Sequence, residues 1–274
     1  MSNTYNIYLI SDSTGETLDR IFTALKAQFE KFDHNLFHFS FTRTENQIAK
    51  ILEEAMRKND SIILYTIVDN KLAKFLSQEA NKKNIPCFGV LGDLILNFSK
   101  LLNQKATNIP SGQHALNEEY YKRIEAIQFT MNHDDGNSII DVEKSDIILL
   151  GVSRTSKTPT SIYLANRGFK TSNIPLINET SIPDKLKDNP KTSCIIGLVA
   201  EAERLHDVRK NRLSTIKENE NTNYTKVEKI KNELQDSKKT FKKYQWPVID
   251  VTRKSVEETA ASVIKIHEIF TSKK

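Results

Sequence analysis

The segment GVSRTSKT, residues 151–158, has the residue types and the spacing of a loop that binds phosphate. Gly151 follows an apolar run, and Lys157 with Thr158 fills the last two places of the pattern G-x-x-x-x-G-K-[ST]. Small residues let successive backbone N–H groups converge on an anion, and a following helix adds the positive end of its dipole. The predicted nucleotide-binding residues are Gly151, Val152, Ser153, Arg154, Thr155, Ser156, Lys157 and Thr158.

The side chains of this segment add chemistry to the backbone. Lys157 supplies a mobile full charge, and opposite unit charges 4 Å apart attract by about 4 kcal/mol at an effective dielectric near 20. Arg154 can fork onto phosphate oxygens, and Thr158 has a hydroxyl of the kind that holds Mg²⁺ beside a nucleotide. Pro159 suits the first turn of a helix, where no N–H is required of it.

One position departs from the pattern, because Ser156 stands where the second glycine is expected. A residue with a side chain that is held in a left-handed conformation costs about 1–2 kcal/mol. Either the loop has a different local shape, or it tolerates that strain. The alternative for the whole segment is a polar turn between a strand and a helix that happens to contain a lysine.

A second group of small polar residues ends the first apolar run, in NIYLISDSTGETLDRIF. Ligands of open α/β sheets gather at the carboxyl ends of strands. The candidate residues for a ligand or substrate cleft are Ser11, Asp12, Ser13, Thr14 and Gly15. The alternative is that Ser13 and Glu16 form a capping box for the helix that follows.

A third group, NHDDGNS, places His133, Asp134 and Asp135 before a glycine. Adjacent carboxylates in a turn can bind a cation or supply a base for a hydroxyl nucleophile. A solvated Asp-Asp-Gly turn is the alternative, and it is the commoner use of these residues. The six histidines of the chain show no metal-ligand spacing.

Regular elements must position these groups, and short β-branched runs alternate along the chain with longer amphipathic stretches. Helices are predicted at residues 14–29, 45–57, 70–81, 91–102 and 118–131. Strands are predicted at residues 5–10, 36–41, 61–67, 86–90, 147–150, 173–177, 192–199 and 248–251. Ser255 and Glu258 have the spacing of a capping box before a last helix.

This order predicts an α/β fold with two lobes of βα units around mostly parallel sheets, the C-terminal lobe being P-loop kinase-like. The predicted domains are an N-terminal α/β domain at residues 1–110 and a C-terminal domain with the phosphate loop at residues 146–274. Residues 111–145 are predicted to be a helical linker region, because they carry no clear strand pattern.

Composition restricts the possible functions. The chain has 274 residues, and 38% of them are hydrophobic. Its net charge is +5, and its 40 basic residues are scattered among 35 acidic ones, so we expect neither nucleic acid nor a membrane as partner. Cys87 and Cys194 lie in apolar runs, which favours reduced thiols and a cytoplasmic location. The first residues, MSNTYNIYLISDS, show no basic segment ahead of a long apolar core, and no run of eighteen apolar residues occurs, so we expect neither export nor a membrane span. A homodimer is the commonest assembly for such a chain.

Four segments in chain order read SDSTGETL, FTMNHDDG, GVSRTSKTPTSIYLANRGFKTSNIPL and WPVIDVTRKSVEETAASVI. They resemble the blocks of the pyruvate, phosphate dikinase regulatory protein family, whose members share a serine at the second-glycine position. The likeness covers nearly the whole chain. One departure follows SCIIGL, where the family continues with threonine, isoleucine and an aspartate–proline pair but this chain has VAEAERLHDVR. If a role in the family depends on that aspartate, either Glu201 substitutes for it or the activity is altered.

The resemblance implies a bifunctional enzyme, an ADP-dependent serine/threonine kinase and a phosphorylase. Such proteins phosphorylate a threonine of pyruvate, phosphate dikinase, or of the related phosphoenolpyruvate synthase, with ADP as donor and AMP as product. The modification inactivates the target. In the opposite direction inorganic phosphate attacks the phosphothreonine and pyrophosphate is released.

For a reaction of this kind we hypothesise the following roles for the residues found above, those of the aspartates and of residues 11–15 from their position in the sequence alone. Lys157 neutralises charge on the transferred phosphoryl group, Thr158 helps to hold Mg²⁺, and Asp134 or Asp135 is the base or metal partner for the target threonine. Residues 11–15 line the cleft for the protein substrate. Two other functions stay open: a small-molecule P-loop kinase that uses ATP, and a non-catalytic module that senses nucleotides.

Overall fold

The computed structural model describes residues 4–112, 117–136, 141–188, 193–216 and 222–272. The chain divides into two compact units, Met1–Ala115 and Leu116–Lys274, which we call unit 1 and unit 2. Each unit contains one four-stranded sheet in which all the strands are parallel. The α/β fold class with two lobes of βα units is therefore confirmed.

Unit 1 alternates strands and helices along the chain. Its strands are β1 (Tyr5–Ser11), β2 (His34–Phe39), β3 (Ser61–Thr66) and β4 (Cys87–Gly89). Its helices are α1 (Glu16–Lys26), α2 (Glu45–Met56), α3 (Asn70–Lys82) and α4 (Gly92–Leu102). The strand order is β2-β1-β3-β4, so that β1 lies inside the sheet, and its sequence YNIYLIS is buried almost throughout, as a parallel strand covered on both faces requires.

Unit 2 repeats this strand order. Its strands are β5 (Ile147–Gly151), β6 (Thr171–Pro175), β7 (Cys194–Val199) and β8 (Val248–Asp250), in the order β6-β5-β7-β8. Its helices are α5 (Glu118–Asn132), α6 (Lys157–Asn166), α7 (Asp184–Asp188), α8 (Ala202–Thr215), α9 (Val227–Lys243) and α10 (Val256–Thr271). All residues of β5 and β7 are buried, and these two strands form the centre of the core of unit 2.

Most elements begin and end within two residues of the predictions, and the largest difference is at α1, predicted at residues 14–29, which begins at Glu16 and ends at Lys26. Two strands are displaced as a whole. β2 begins at His34 and ends at Phe39, two residues earlier than predicted, because this edge strand is half exposed and burial does not mark its limits. β6 also begins two residues earlier, at Thr171, because its first residues are polar yet buried, and the hydroxyl of Ser172 lies 2.6 Å from that of Ser145. The predicted strand residue Thr192 lies outside the described residues.

The predicted capping box of the last helix is confirmed. The Ser255 hydroxyl accepts from the Glu258 backbone N–H at 3.1 Å, and the Glu258 carboxylate accepts from the Ser255 N–H at 2.8 Å. Among the described residues, no helix combines the length and the apolar character that crossing a bilayer would require.

One close contact fixes α9 on the sheet of unit 2. A Cβ atom built on Gly197 of β7 would lie 2.6 Å from two ring carbons of Phe241, whose side chain is fully buried. The ring therefore rests directly on the strand backbone, at a place where no side chain fits. Because interiors are close-packed, an added methyl group there forces the ring out of position.

We predict that Gly197→Ala lowers the free energy of unfolding of unit 2 by about 1–3 kcal/mol, because overpacking of this size is poorly tolerated. The single tryptophan of the chain, Trp246, is buried in unit 2, so its fluorescence in urea reports on this unit. The double variant Gly197→Ala with Phe241→Leu should recover part of the loss, because the smaller side chain makes room. Full stability of the single variant would contradict the contact.

Candidate functional site

β5 ends at Gly151, a position where no side chain fits, and the loop of residues 152–156 follows it. A Cβ atom on Gly151 would lie 2.6 Å from Oγ1 of Thr155 and 2.7 Å from the carbonyl oxygen of Leu198. The Thr155 hydroxyl donates to the carbonyl of Val152 at 2.9 Å and so closes the loop on itself. The predicted role of Gly151 as the end of the strand thus has a steric cause.

The loop has strained backbone at two positions that are not glycine. Ser156 lies at φ 60° and ψ 25°, the left-handed conformation, immediately before α6, and Arg154 has φ 73°. Of the two possibilities that the sequence leaves open for Ser156, the structure shows the strained one. Each such residue costs about 1–2 kcal/mol, so the contacts around the loop must hold it in this shape.

Lys157 begins α6 with its side chain turned into the protein. The residue is only 5% exposed, and its Nζ donates to the carbonyl of Val152 at 3.1 Å. Burial lowers the pKa of Lys157 from 10.5 to about 8, although the charges of Asp135 and Asp134 act in the opposite direction. The structure therefore holds a largely desolvated ammonium group at the loop, where an anion would stabilise it.

Asp134 is fixed by its neighbours. Its Oδ1 accepts from the hydroxyl of Thr158 at 3.0 Å and from the side-chain amide of Asn173, a fully buried residue of β6. The same Asn173 amide accepts, through its oxygen, from the backbone N–H of Asp135 at 2.9 Å. Asn173 therefore anchors both aspartates beside the start of α6.

Asp135 has the opposite character. Its backbone is left-handed, with φ 50° and ψ 31°, and the residue is exposed at the mouth of a cavity. Among the described residues we find no hydrogen-bond partner for its carboxylate, in contrast to that of Asp134. Of the two aspartates predicted from the sequence, Asp134 is therefore held by neighbouring side chains, whereas the carboxylate of Asp135 is open to a ligand.

The cavity at this place has a volume of about 480 Å³. It lies at the carboxyl end of β5, where open α/β sheets bind their ligands. Its lining residues are Asp135, Ser153, Arg154, Ser156, Lys157, Thr158, Pro159, Pro175 and Val208. A basic group, a free carboxylate and a helix N-terminus thus surround one space, which suits a phosphate group and a hydroxyl that attacks it.

Three residues that contact this site were absent from the sequence predictions. They are Asn173, Arg209 and Tyr224. Asn173 is an amide in a buried strand, which is a detectable signal because a buried amide must find partners. Arg209 and Tyr224 lie 50 or more residues after the loop, and no local pattern marks them.

The described residues contain no group of three or more His, Cys, Asp or Glu side chains that could hold a metal ion by themselves. Mg²⁺ usually needs only one or two protein ligands, because substrate phosphates complete its shell. The Thr158 hydroxyl and the Asp134 carboxylate, 3.0 Å apart, are a donor set that fits such an ion.

The second candidate group, residues 11–15, lies at the carboxyl end of β1 in unit 1. Ser11, Asp12, Ser13 and Gly15 line a cavity of about 160 Å³ together with residues that follow β3. The Asp12 carboxylate is buried and accepts from the Val68 N–H at 2.7 Å, and burial raises its pKa. Thr14 is exposed, and its carbonyl accepts from the Ser40 hydroxyl.

The alternative capping box between Ser13 and Glu16 is wrong. The residue that caps α1 is Gly15, at φ 90°, and no side chain makes the capping bond. The Ser13 hydroxyl instead accepts from that of Ser111 at 2.9 Å. Ser13 is therefore part of the cavity wall, because the chain turns through Gly15 before the helix starts.

The family described as kinase/pyrophosphorylase matches residues 7–264. The chain belongs to the kinase/pyrophosphorylase family. A relative from Pelagibacter ubique (strain HTCC1062), called "Putative pyruvate, phosphate dikinase regulatory protein", is 69% identical over 269 residues, which cover 98% of both chains.

Two further relatives carry the same name. The protein of Bartonella bacilliformis is 42% identical over 99% of this chain and 96% of its own, and that of Sphingopyxis alaskensis is 44% identical over 96% and 97%. The predicted family is thereby confirmed, and membership makes the chain an enzyme that handles a nucleotide and phosphate.

Glu201, where a departure from the family is expected from the sequence, does not line the cavity of unit 2. Glu201 is exposed, precedes the first residue of α8, and donates its backbone N–H to the Thr252 hydroxyl at 2.9 Å. Its side chain is not among the groups that line the cavity.

We predict that Lys157→Met raises the free energy of unfolding at pH 7 by roughly 1–3 kcal/mol, because the variant removes a charge whose burial is unfavourable. The folded pKa of about 8 lies below the ordinary 10.5, so the cost is full below pH 8 and vanishes as the pH rises to 10.5. The advantage of the variant should therefore shrink from pH 7 to pH 10. Urea titrations followed by Trp246 fluorescence measure it.

The matched control for this experiment is Lys238→Met, which removes a lysine on the exposed face of α9. It should change stability little at either pH. A Lys157→Met protein that is less stable than the parent at pH 7 would contradict the desolvated state of the ammonium group.

We predict that Ser156→Gly raises the free energy of unfolding by about 1 kcal/mol, because glycine adopts the left-handed conformation without steric cost. The same exchange at Ser262, a half-buried residue inside α10, should lower it by about 1 kcal/mol, because glycine is unfavourable in a helix. Thermal melting measures both. A loss of stability at position 156 would show that the serine hydroxyl matters more than the strain.

Proposed function

We propose that this chain phosphorylates a threonine of pyruvate, phosphate dikinase with ADP as donor, and that it also removes the phosphate by phosphorolysis. The first reaction inactivates the target and the second restores it. The family and the names of the relatives support the target, and the cavity of unit 2, between the loop of residues 152–156 and the start of α6, supports the chemistry. One observation carries the proposal: Lys157 and the open carboxylate of Asp135 face the same cavity.

In the forward direction the threonine oxygen attacks the β-phosphorus of ADP. The bond between that phosphorus and the oxygen that bridges to the α-phosphate breaks, and AMP leaves. Asp135 accepts the proton of the threonine hydroxyl, because its carboxylate is the one without a structural partner among the described residues. Lys157 and the N–H groups of residues 152–156 stabilise the charge on the transferred group.

In the reverse direction an oxygen of inorganic phosphate attacks the phosphorus of phosphothreonine. The bond from phosphorus to the threonine oxygen breaks, the oxygen takes up a proton from Asp135, and pyrophosphate leaves. The same loop serves both reactions, because the β-phosphate of ADP and inorganic phosphate present the same kind of oxygens to it.

Asp134 acts in this proposal by positioning. It holds the Thr158 hydroxyl and is itself held by Asn173. Thr158 and Asp134 would hold Mg²⁺, which neutralises phosphate charge when it is bound. Residues 11–15 of unit 1 remain proposed contacts for the protein substrate. A cytoplasmic location fits the two free cysteines, Cys87 and Cys194.

We predict that the purified protein moves label from ADP labelled on its β-phosphate to a threonine of the dikinase. Lys157→Ala should abolish both directions, because the loop then lacks its buried cation. Asp135→Asn should lower transfer by about 10²-fold or more, as loss of a general base does, and Asp134→Asn should lower it less. Phosphoamino acid analysis after transfer, and pyrophosphate release in the reverse assay, measure these effects.

Asp236→Asn, which changes an exposed carboxylate of α9, is the control and should transfer at the parental rate. Label that appears on phosphoenolpyruvate synthase but not on the dikinase would reassign the target. Label that stays in small molecules, or a preference for ATP, would favour a small-molecule kinase. Nucleotide binding without transfer to either protein would indicate a sensing module.

A further inference from the structure

The turn of residues 222–225, which precedes α9, contacts the loop of residues 152–156 through one side chain. The hydroxyl of Tyr224 lies 2.8 Å from Oγ of Ser153 and accepts from Nε of Arg154 at 3.3 Å. The phenol oxygen accepts from the arginine, and either of the two hydroxyl groups can be the donor in the bond between Tyr224 and Ser153. A single hydroxyl thus joins both polar side chains that the loop presents on this side of the cavity.

A buried arginine fixes that turn. Arg209 of α8 is 1% exposed and donates to the carbonyl of Tyr224 at 3.0 Å, to the carbonyl of Ser153 at 3.2 Å, and to the carboxylate of Glu233 at 2.7 Å. Its guanidinium carbon also lies 4.6 Å from the centre of the Tyr224 ring. The arginine therefore connects α8, α9, the turn and the loop, and holds the Tyr224 ring in place without using its hydroxyl.

The hydroxyl of Tyr224, in contrast to its ring, contacts Arg154. Arg154 is exposed and has a left-handed backbone, so its side chain would otherwise sample many rotamers. Of the five N–H donors of a guanidinium, the bond to Tyr224 uses only the one on Nε. The four donors on the two terminal nitrogens stay available for a fork onto phosphate oxygens.

We propose that Tyr224 is a positioning residue, which aims the guanidinium of Arg154 at the phosphate groups of the nucleotide through its hydroxyl. This inference rests on the proposed function, because it assigns to that cavity the nucleotide that the proposed reaction uses. It adds to that function a specific partner: the arginine that clamps the phosphates is oriented from a segment about 70 residues further along the chain.

The test is a double-mutant cycle between Tyr224→Phe and Arg154→Gln, with calorimetric ADP binding as its first readout. The phenylalanine keeps the ring that Arg209 stacks on, so the fold should survive, and thermal melting checks this. Tyr224→Phe should weaken ADP binding about fivefold and Arg154→Gln by more than tenfold. The double variant should bind ADP like Arg154→Gln alone, because the hydroxyl acts through the arginine.

The second readout is the transfer reaction, in which Tyr224→Phe should lower kcat several-fold and raise KM for ADP by the same factor as Kd. The matched control is Tyr163→Phe. Tyr163 of α6 accepts from Arg167 at 3.2 Å in a similar pairing, but neither residue lines the cavity, so this variant should bind and react like the parent.

Two results would overturn the inference: parental ADP affinity in a folded Tyr224→Phe protein, or the same fivefold loss when Arg154 is already replaced. Binding does not need an acceptor protein, so the cycle decides the role of Tyr224 even where no phosphoryl transfer to the dikinase occurs. Failure of the parent in the transfer assay, with the expected binding cycle, would count against the proposed reaction alone.

Discussion

The buried ammonium group of Lys157 is the constraint on which the arrangement of unit 2 depends. Its only hydrogen-bond acceptor among the described contacts is a neutral carbonyl, that of Val152, and the aspartates that face it act through space. A charge in such surroundings is costly unless an anion joins it. The loop, the start of α6 and the short turn at Asp134–Gly136 together keep it desolvated and close to the space where a phosphate fits.

That arrangement explains why the loop tolerates strain without the second glycine. The side chains of Thr155 and Lys157 both donate to the carbonyl of Val152, and Arg209 donates to that of Ser153. These three side chains hold the loop in the shape that its two left-handed residues require. Strain of a few kcal/mol is supported by such contacts, and it occurs where binding needs a fixed backbone. The serine at position 156 is therefore compatible with a rigid anion site.

Much of this could be predicted from the sequence, and the limits have physical causes. The apolar runs of β5 and β7 are buried on both faces, so their hydrophobic pattern marks them, and the loop after β5 follows from its small residues and lysine. The separation of Asp134 from Asp135 could not be predicted, because it depends on the Asn173 amide that folding brings from another strand. Arg209 and Tyr224 could not be predicted for the same reason, because only tertiary contacts bring them to the loop.

The common strand order of the two sheets has a consequence for the way this chain is made. Two all-parallel sheets of the same order offer each other wrong partners, since exposed strand edges of a half-folded chain pair readily. Each sheet, however, takes all its strands from one continuous stretch, the first before residue 115 and the second after it. Synthesis from the N-terminus can therefore complete the first sheet on the ribosome before β5 emerges, so that the growing chain avoids the mispairing which a refolding full-length chain must overcome.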